Sequence, residues 1–259
     1  MKLNIVPART GILWVKLGIK TFFRQPLALA GLFFMFMAAM SVLSMVPLIG
    51  NALALGLLPA ATLGLMAATR EAAKGKFPMP SVMISAFRAG KTQMRAMVML
   101  GVLYALGFLL VMGVSALIDG GNFARMYLVG TSLTRAQVMA PEFQNALWVS
   151  MALYLPLSLL FWHAPALVHW HAVAPVKSLF FSMVACLRNA GAFFVFGLAW
   201  CGVFALTGLA VTLLATAVGG PTAAGAALFP AAMLLAAMFF TSLYFTYQSS
   251  FETTEGDTP

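Results

Sequence analysis

The chain has 259 residues, 62% of them hydrophobic and 8% charged, with a mean hydropathy of +0.97 and a formal net charge of +9. A soluble domain carries about 25% charged residues, so this chain lacks the polar surface that a water-facing globule needs. The basic excess needs no nucleic-acid partner, because the placement of the cations accounts for it below.

Lipid is the alternative solvent, and the uncharged stretches support it. No Asp, Glu, Lys or Arg occurs in residues 25–69, 96–118, 143–176 or 189–251. A helix rises about 1.5 Å per residue, so about 20 apolar residues cross a hydrocarbon core of about 30 Å. The longest stretches are broken by the turns Val46-Pro47-Leu48-Ile49-Gly50-Asn51 and Gly219-Gly220-Pro221-Thr222. An all-α polytopic fold follows, with six spans at about 27–47, 51–69, 96–118, 141–164, 190–217 and 226–247. Residues 1–248 read as one integral membrane domain, and 249–259 as a disordered acidic tail carrying Glu252, Glu255 and Asp257.

In chain order, residues 9–24 come first. Arg9, Lys16, Lys20 and Arg24 share one helical face, with Trp14, Val15 and Phe22 roughly opposite. The apolar run that follows is too long for a signal-peptide core and has no A-x-A site after it, so it reads as an uncleaved first span. Span two places Ala52, Gly56, Ala60, Gly64 and Ala68 at every fourth position, a stripe that admits a neighbouring backbone. Pro59 within it predicts a kink. Residues 80–95 form a second basic segment with Arg88, Lys91 and Arg95 at helical spacing, and 176–189 a third, where Lys177 and Arg188 flank Leu179-Phe180-Phe181. Each of these three segments is predicted to be an amphipathic helix lying in the membrane plane ahead of spans one, three and five. Three helical hairpins result, and the returning spans share Pro-Ala at residues 59, 165 and 230. The loop 119–140 is predicted to hold a short helix near Leu133–Met139. Cys186 and Cys201 have neither disulfide-framework nor zinc spacing and read as packing residues.

The cations set the orientation. Thirteen of the fifteen Lys and Arg precede span one or lie between spans two and three or four and five; Arg125 and Arg135 alone fall on the other side. By the positive-inside rule both termini face the cytoplasm of a bacterial cell, with the protein in the inner membrane.

All three histidines fall in FWHAPALVHWHAVAP, residues 161–175. Counted from Pro141, span four reaches its cytoplasmic edge near Trp162-His163, so the stretch reads as an interfacial anchor with Trp162 and Trp170 in the aromatic belt. Metal or haem ligation by His163, His169 and His171 is the alternative. Against it, His169 and His171 point about 200° apart on an unbroken helix, and the sequence supplies no nearby thiolate or set of carboxylates. Proton-linked sensing is a third use of the same imidazoles.

Residues 7–37, 57–82 and 162–194 (PARTGILWVKLGIKTFFRQPLALAGLFFMFM, LLPAATLGLMAATREAAKGKFPMPSV and WHAPALVHWHAVAPVKSLFFSMVACLRNAGAFF) resemble a family of uncharacterised proteobacterial inner-membrane proteins. More distantly, the run from Ala164-Pro165-Ala166-Leu167 through Ser178 to Arg188 is similar to the membrane domain fused to some glycerophosphodiester phosphodiesterases. Nothing here corresponds to their catalytic barrel. The resemblance implies a six-helix inner-membrane protein and brings no catalytic residue or cofactor with it.

Three functions remain. Catalysis has little support, since the acids are too dispersed for a paired site and no nucleophile, phosphate-loop or His-x-x-Glu-His motif occurs. A transporter or channel for a small solute rests on Ser150, Tyr154 and Ser158, which recur every four residues on span four and line one face. The reading best matched to the composition is a non-catalytic scaffold, accessory or lipid-interacting protein. Its partners are the bilayer and anionic phospholipid headgroups, contacted by Lys16, Lys20, Arg24, Arg88, Lys91 and Arg95, with a second copy or another membrane protein as further partners.

Overall fold

A computed structural model describes residues 2–47 and 49–252, without the side chains of Pro221 and Glu252. The fold is all-α. Among the described residues six helices are long and apolar enough to cross a membrane: Pro26–Ser44, Gly50–Ala73, Lys91–Asp119, Pro141–His171, Ala190–Gly220 and Thr222–Ser250. They match the six predicted spans, because both turn signals act as read. Helix α1 (Thr10–Arg24) precedes α2 (Pro26–Ser44), and α3 (Gly50–Ala73) follows. After a 3₁₀ turn at Pro80–Ile84 come α4 (Ser85–Arg88), α5 (Lys91–Asp119), α6 (Asn122–Val129) and α7 (Arg135–Met139). Then follow α8 (Pro141–Phe161), α9 (Ala164–His171), α10 (Pro175–Arg188) and α11 (Ala190–Ser250). The chain divides into two compact units: residues 1–37, 61–85 and 184–259, and residues 38–60 and 86–183.

In the first unit α11 is a hairpin. Gly220 has φ 74° and ψ −172°, a conformation open to glycine and costly for other residues, and there the helix folds back. Phe196 packs on Phe239 across the two arms, with ring centroids 5.8 Å apart, and Trp200 Nε1 donates to Ser242 Oγ at 3.2 Å. Helix α1 docks on this hairpin by its glycines. A Cβ at Gly11 would run into the Ala192 carbonyl and lie 2.6 Å from the Phe196 nitrogen, and one at Gly18 would lie 2.5 Å from the Ser242 Cβ. Trp14 fills the space between and donates its indole N–H to Ser249 Oγ at 2.9 Å.

The chain ends meet in the same place. Strands β1 (Lys2–Leu3) and β2 (Phe251–Glu252) pair antiparallel, extended by Asn4 N donating to the Ser250 carbonyl at 2.8 Å. Buried Asn189 at the α10–α11 junction accepts from Val6 N at 2.8 Å and donates to the Asn4 carbonyl at 3.1 Å. The expected disordered tail is corrected over 249–252, which close α11 and form β2; 253–259 lie outside the described residues.

In the second unit α5 packs on α8. Gly107 meets Leu157, and Tyr104 meets Phe161 edge to face at 5.0 Å. A Cβ at Gly101 would strike the Gly56 carbonyl, so α3 and α5 cross at glycine on both sides. The loop 119–140 holds two helices rather than one. Buried Asp119 begins α6 by accepting the Gly121 and Phe123 N–H groups at 2.9 and 2.6 Å. Thr134 and Gln137 form a reciprocal capping box that starts α7.

The predicted amphipathic helix over 80–95 is corrected. Gly90, at φ 110°, ends the short α4, and the next helix starts at Lys91. Lys91 and Arg95 thus sit on the first turns of a span and Arg88 on α4.

Replacing Gly11 by Ala should destabilise the protein by about 1–3 kcal/mol, because backbone atoms of α11 cannot retreat from the added methyl. Gly197→Ala, where nothing lies within 4 Å, is the control and should melt like the parent or slightly higher. Thermal unfolding of the detergent-solubilised protein checks both.

Candidate functional site

The expected functional residues do not converge on one site. Lys16, Lys20, Arg24, Arg88, Lys91 and Arg95 are all exposed. On α1, however, the division of faces differs from the sequence reading. Trp14, Val15 and Phe22 are buried against protein, not turned to lipid. Ile12, Leu13 and Phe23 are exposed on the same side as Lys16 and Lys20. One face of α1 therefore carries cations and bulky apolar groups together. Arg24 also donates to the Ala73 carbonyl at 3.3 Å and Gln25 Nε2 to the Lys76 carbonyl at 3.1 Å, which ties the end of α1 to the end of α3.

Helix α10 shows the same division. Ser178, Ser182, Ala185 and Cys186 are buried along one stripe, while Val176, Lys177, Phe180, Phe181, Leu187 and Arg188 are exposed.

The first part of the histidine segment, through Val168, packs inside the protein. His163 and residues Ala164, Ala166, Leu167 and Val168 are at most 1% exposed, and Pro165 is buried with them. His169 and His171 lie in the last turn of α9 and are partly exposed. Among the described residues no three His, Cys, Asp or Glu side chains are grouped to hold a metal ion.

At this break the structure shows a contact that the sequence reading missed. Pro165 cannot donate a backbone hydrogen bond, and helix α8 ends at Phe161. In a continuous helix the His163 N–H would bond the Leu159 carbonyl. Instead the Ser182 hydroxyl enters the gap, accepting from His163 N at 2.9 Å and donating to the Leu159 oxygen at 2.7 Å. One side chain of α10 thus satisfies both groups of a broken ladder bond. The sequence signal was the pair Ser178/Ser182, one turn apart and opposite Phe180/Phe181. Helix α9 ends at Ala172, whose φ of 49° is left-handed.

Of the small-residue stripe, Ala60, Gly64 and Ala68 are buried, and a Cβ on Gly64 would lie 2.9 Å from the Met83 backbone. Gly56 abuts Gly101, and Ala52 is exposed. Of the polar face, Ser158 bonds back to the Leu155 carbonyl at 2.7 Å, Tyr154 lies 3.3 Å from the Tyr104 hydroxyl, and Ser150 is buried. Cys186 is buried, Cys201 exposed, and both are free thiols.

The chain is 43% identical over 203 residues to a protein of Burkholderia thailandensis named "probable inner membrane protein", covering 77% of this chain and 75% of that one. The chain belongs to the family of that protein. No family model matches it, and no solved structure does. The relative's name agrees with six apolar helices and carries no reaction or ligand.

Ser182→Ala should cost about 1–3 kcal/mol by removing both hydrogen bonds that its hydroxyl makes across the break, whereas Ser178→Ala, whose hydroxyl only bonds back to Pro175 within its own helix, should cost less. Ala172→Gly should gain about 1 kcal/mol by relieving the left-handed residue. Equal melting temperatures for the two serine variants would contradict the bridging role.

Proposed function

We propose that the protein is a non-catalytic component of the inner membrane whose Lys- and Arg-rich side faces the cytoplasm and binds anionic phospholipid headgroups. The observation that carries this reading is the exposed face of α1, where Lys16 and Lys20 stand among Ile12, Leu13 and Phe23. Such a face suits the headgroup layer. The apolar side chains enter the acyl boundary, while the lysines lay their methylenes on it and lift their ammonium groups to phosphate. The back of the helix is held by α11, so the face is presented rigidly. Lys177 and Arg188 beside Phe180, Phe181 and Leu187 give α10 the same character.

Each basic residue near an anionic surface contributes about 1 kcal/mol, so a handful outweighs thermal exchange of lipid. The long stretches within the spans that hold no acid, residues 25–69, 96–118, 143–176 and 189–251, support a role in binding or assembly rather than catalysis. A solute pathway has less behind it, since Ser158 is bonded within its own helix and Tyr154 is engaged by Tyr104.

The test is the lipid that co-purifies. Lys16→Gln with Lys20→Gln should lower the ratio of anionic to zwitterionic phospholipid retained in mild detergent, with apparent affinity falling about tenfold or more. Arg125→Gln, on the side with few cations, should leave the ratio unchanged. An unaltered ratio in the double variant would refute the reading.

A further inference from the structure

Three of the chain's five tyrosines gather around one phenylalanine in the second unit. The Phe108 ring centroid lies 5.7 Å from Tyr127, 6.2 Å from Tyr154 and 6.4 Å from Tyr104. The Tyr104 and Tyr154 hydroxyls are 3.3 Å apart, so at best one of their two protons is used between them. One helical turn from Tyr154, Ser150 is 3% exposed, and its hydroxyl has no hydrogen-bond partner among the described residues.

That last fact needs a cause. A helical serine ordinarily turns its hydroxyl back to a carbonyl of its own helix, as Ser158 does on α8 and Ser115 on α5. Ser150 does not, and in hydrocarbon an unmet hydroxyl is costly. The neighbourhood thus holds hydroxyl protons for which the described residues offer no acceptor, that of Ser150 and one of the tyrosine pair. The two spans that carry these hydroxyls bring no charge to it, since neither 96–118 nor 143–176 contains an Asp, Glu, Lys or Arg. A ligand that answers these hydroxyls is therefore an uncharged acceptor. Tyr154, on a span, is 42% exposed, which leaves the cluster open on a flank that faces lipid, and Tyr127, on α6, is 62% exposed beside it. A molecule arriving by that route is lipid-soluble, and the rings of Phe108 and Tyr127 favour a flat one.

We propose that Tyr104, Tyr154 and Ser150 bind a planar, uncharged, lipid-soluble carbonyl compound of the quinone type. Its oxygens accept the free hydroxyl protons, and its ring lies against Phe108 and Tyr127. The site shares no residue with the cationic faces and stands independently of the lipid reading.

The experiment is a titration of the full-length protein in nanodiscs with decylubiquinone, followed by quenching of its intrinsic fluorescence. Saturable binding is expected, weakened about three- to tenfold by each of Tyr104→Phe, Tyr154→Phe and Ser150→Ala, and unchanged by Ser158→Ala. Ser150→Ala removes a hydroxyl that bonds to nothing, so it keeps the fold and carries the test should a Phe variant prove unstable. Non-saturating partition that is the same in all variants would overturn the proposal. Saturable binding of undiminished strength in Tyr104→Phe, Tyr154→Phe and Ser150→Ala would overturn it too.

Discussion

Hydrocarbon offers no hydrogen bonds, so every interruption of a helix in this chain has to be completed by the protein itself. The structure meets that demand at four of the breaks by different devices. Ser182 bridges the gap between α8 and α9 with one hydroxyl. Asp119 accepts the first free N–H groups of α6, and Asn189 uses both ends of its amide on the N-terminal strand. At Gly220 the reversal is made in the backbone, by a residue with no side chain to obstruct it. Ser182 and Asn189 join segments far apart in sequence, while Asp119 acts within its own turn.

Close packing supplies the rest of the cohesion. Where apolar contact with lipid is as good as contact with protein, helices associate by approaching closely, and glycine marks the approaches. Gly11 and Gly18 seat α1 on α11, and Gly56 and Gly101 let α3 and α5 touch backbone to backbone. The glycines of α1 are also what free its other face. Because Gly11, Trp14, Gly18 and Phe22 commit one side to protein, Lys16 and Lys20 are left outward in the company of Ile12, Leu13 and Phe23.

The spans were legible because they depend on local composition. An uncharged run of sufficient length, or a Gly-Gly-Pro, says the same thing whatever lies beside it, and both turn signals hold in the fold. The partition of cations is local in the same sense. Contacts across the fold were not legible. Trp14 reads as a lipid-facing residue on a helical wheel and is instead hydrogen-bonded to Ser249. The histidine stretch reads as an interfacial hem because counting from Pro141 places it at a boundary, but the count does not show that Ala164 to Val168 pack inside the protein. Ser182 had no local signature that separated it from Ser178. Gly90 was visible as a junction, but not as the point where a new helix starts at Lys91. Among the site residues, the recurrence of Ser150, Tyr154 and Ser158 was plain. That Ser158 is satisfied, Tyr154 is paired and Ser150 is unmet depends on geometry.

The central claim is that this polypeptide crosses a membrane six times with its cations on one rim. Thiol accessibility tests it most directly. In a background with Cys186 and Cys201 replaced, Lys74→Cys and Arg125→Cys are labelled in intact cells and in inverted vesicles with a membrane-impermeant maleimide. The account predicts that position 125 reacts only from outside the inner membrane and position 74 only from within; labelling of both from the same side would contradict it.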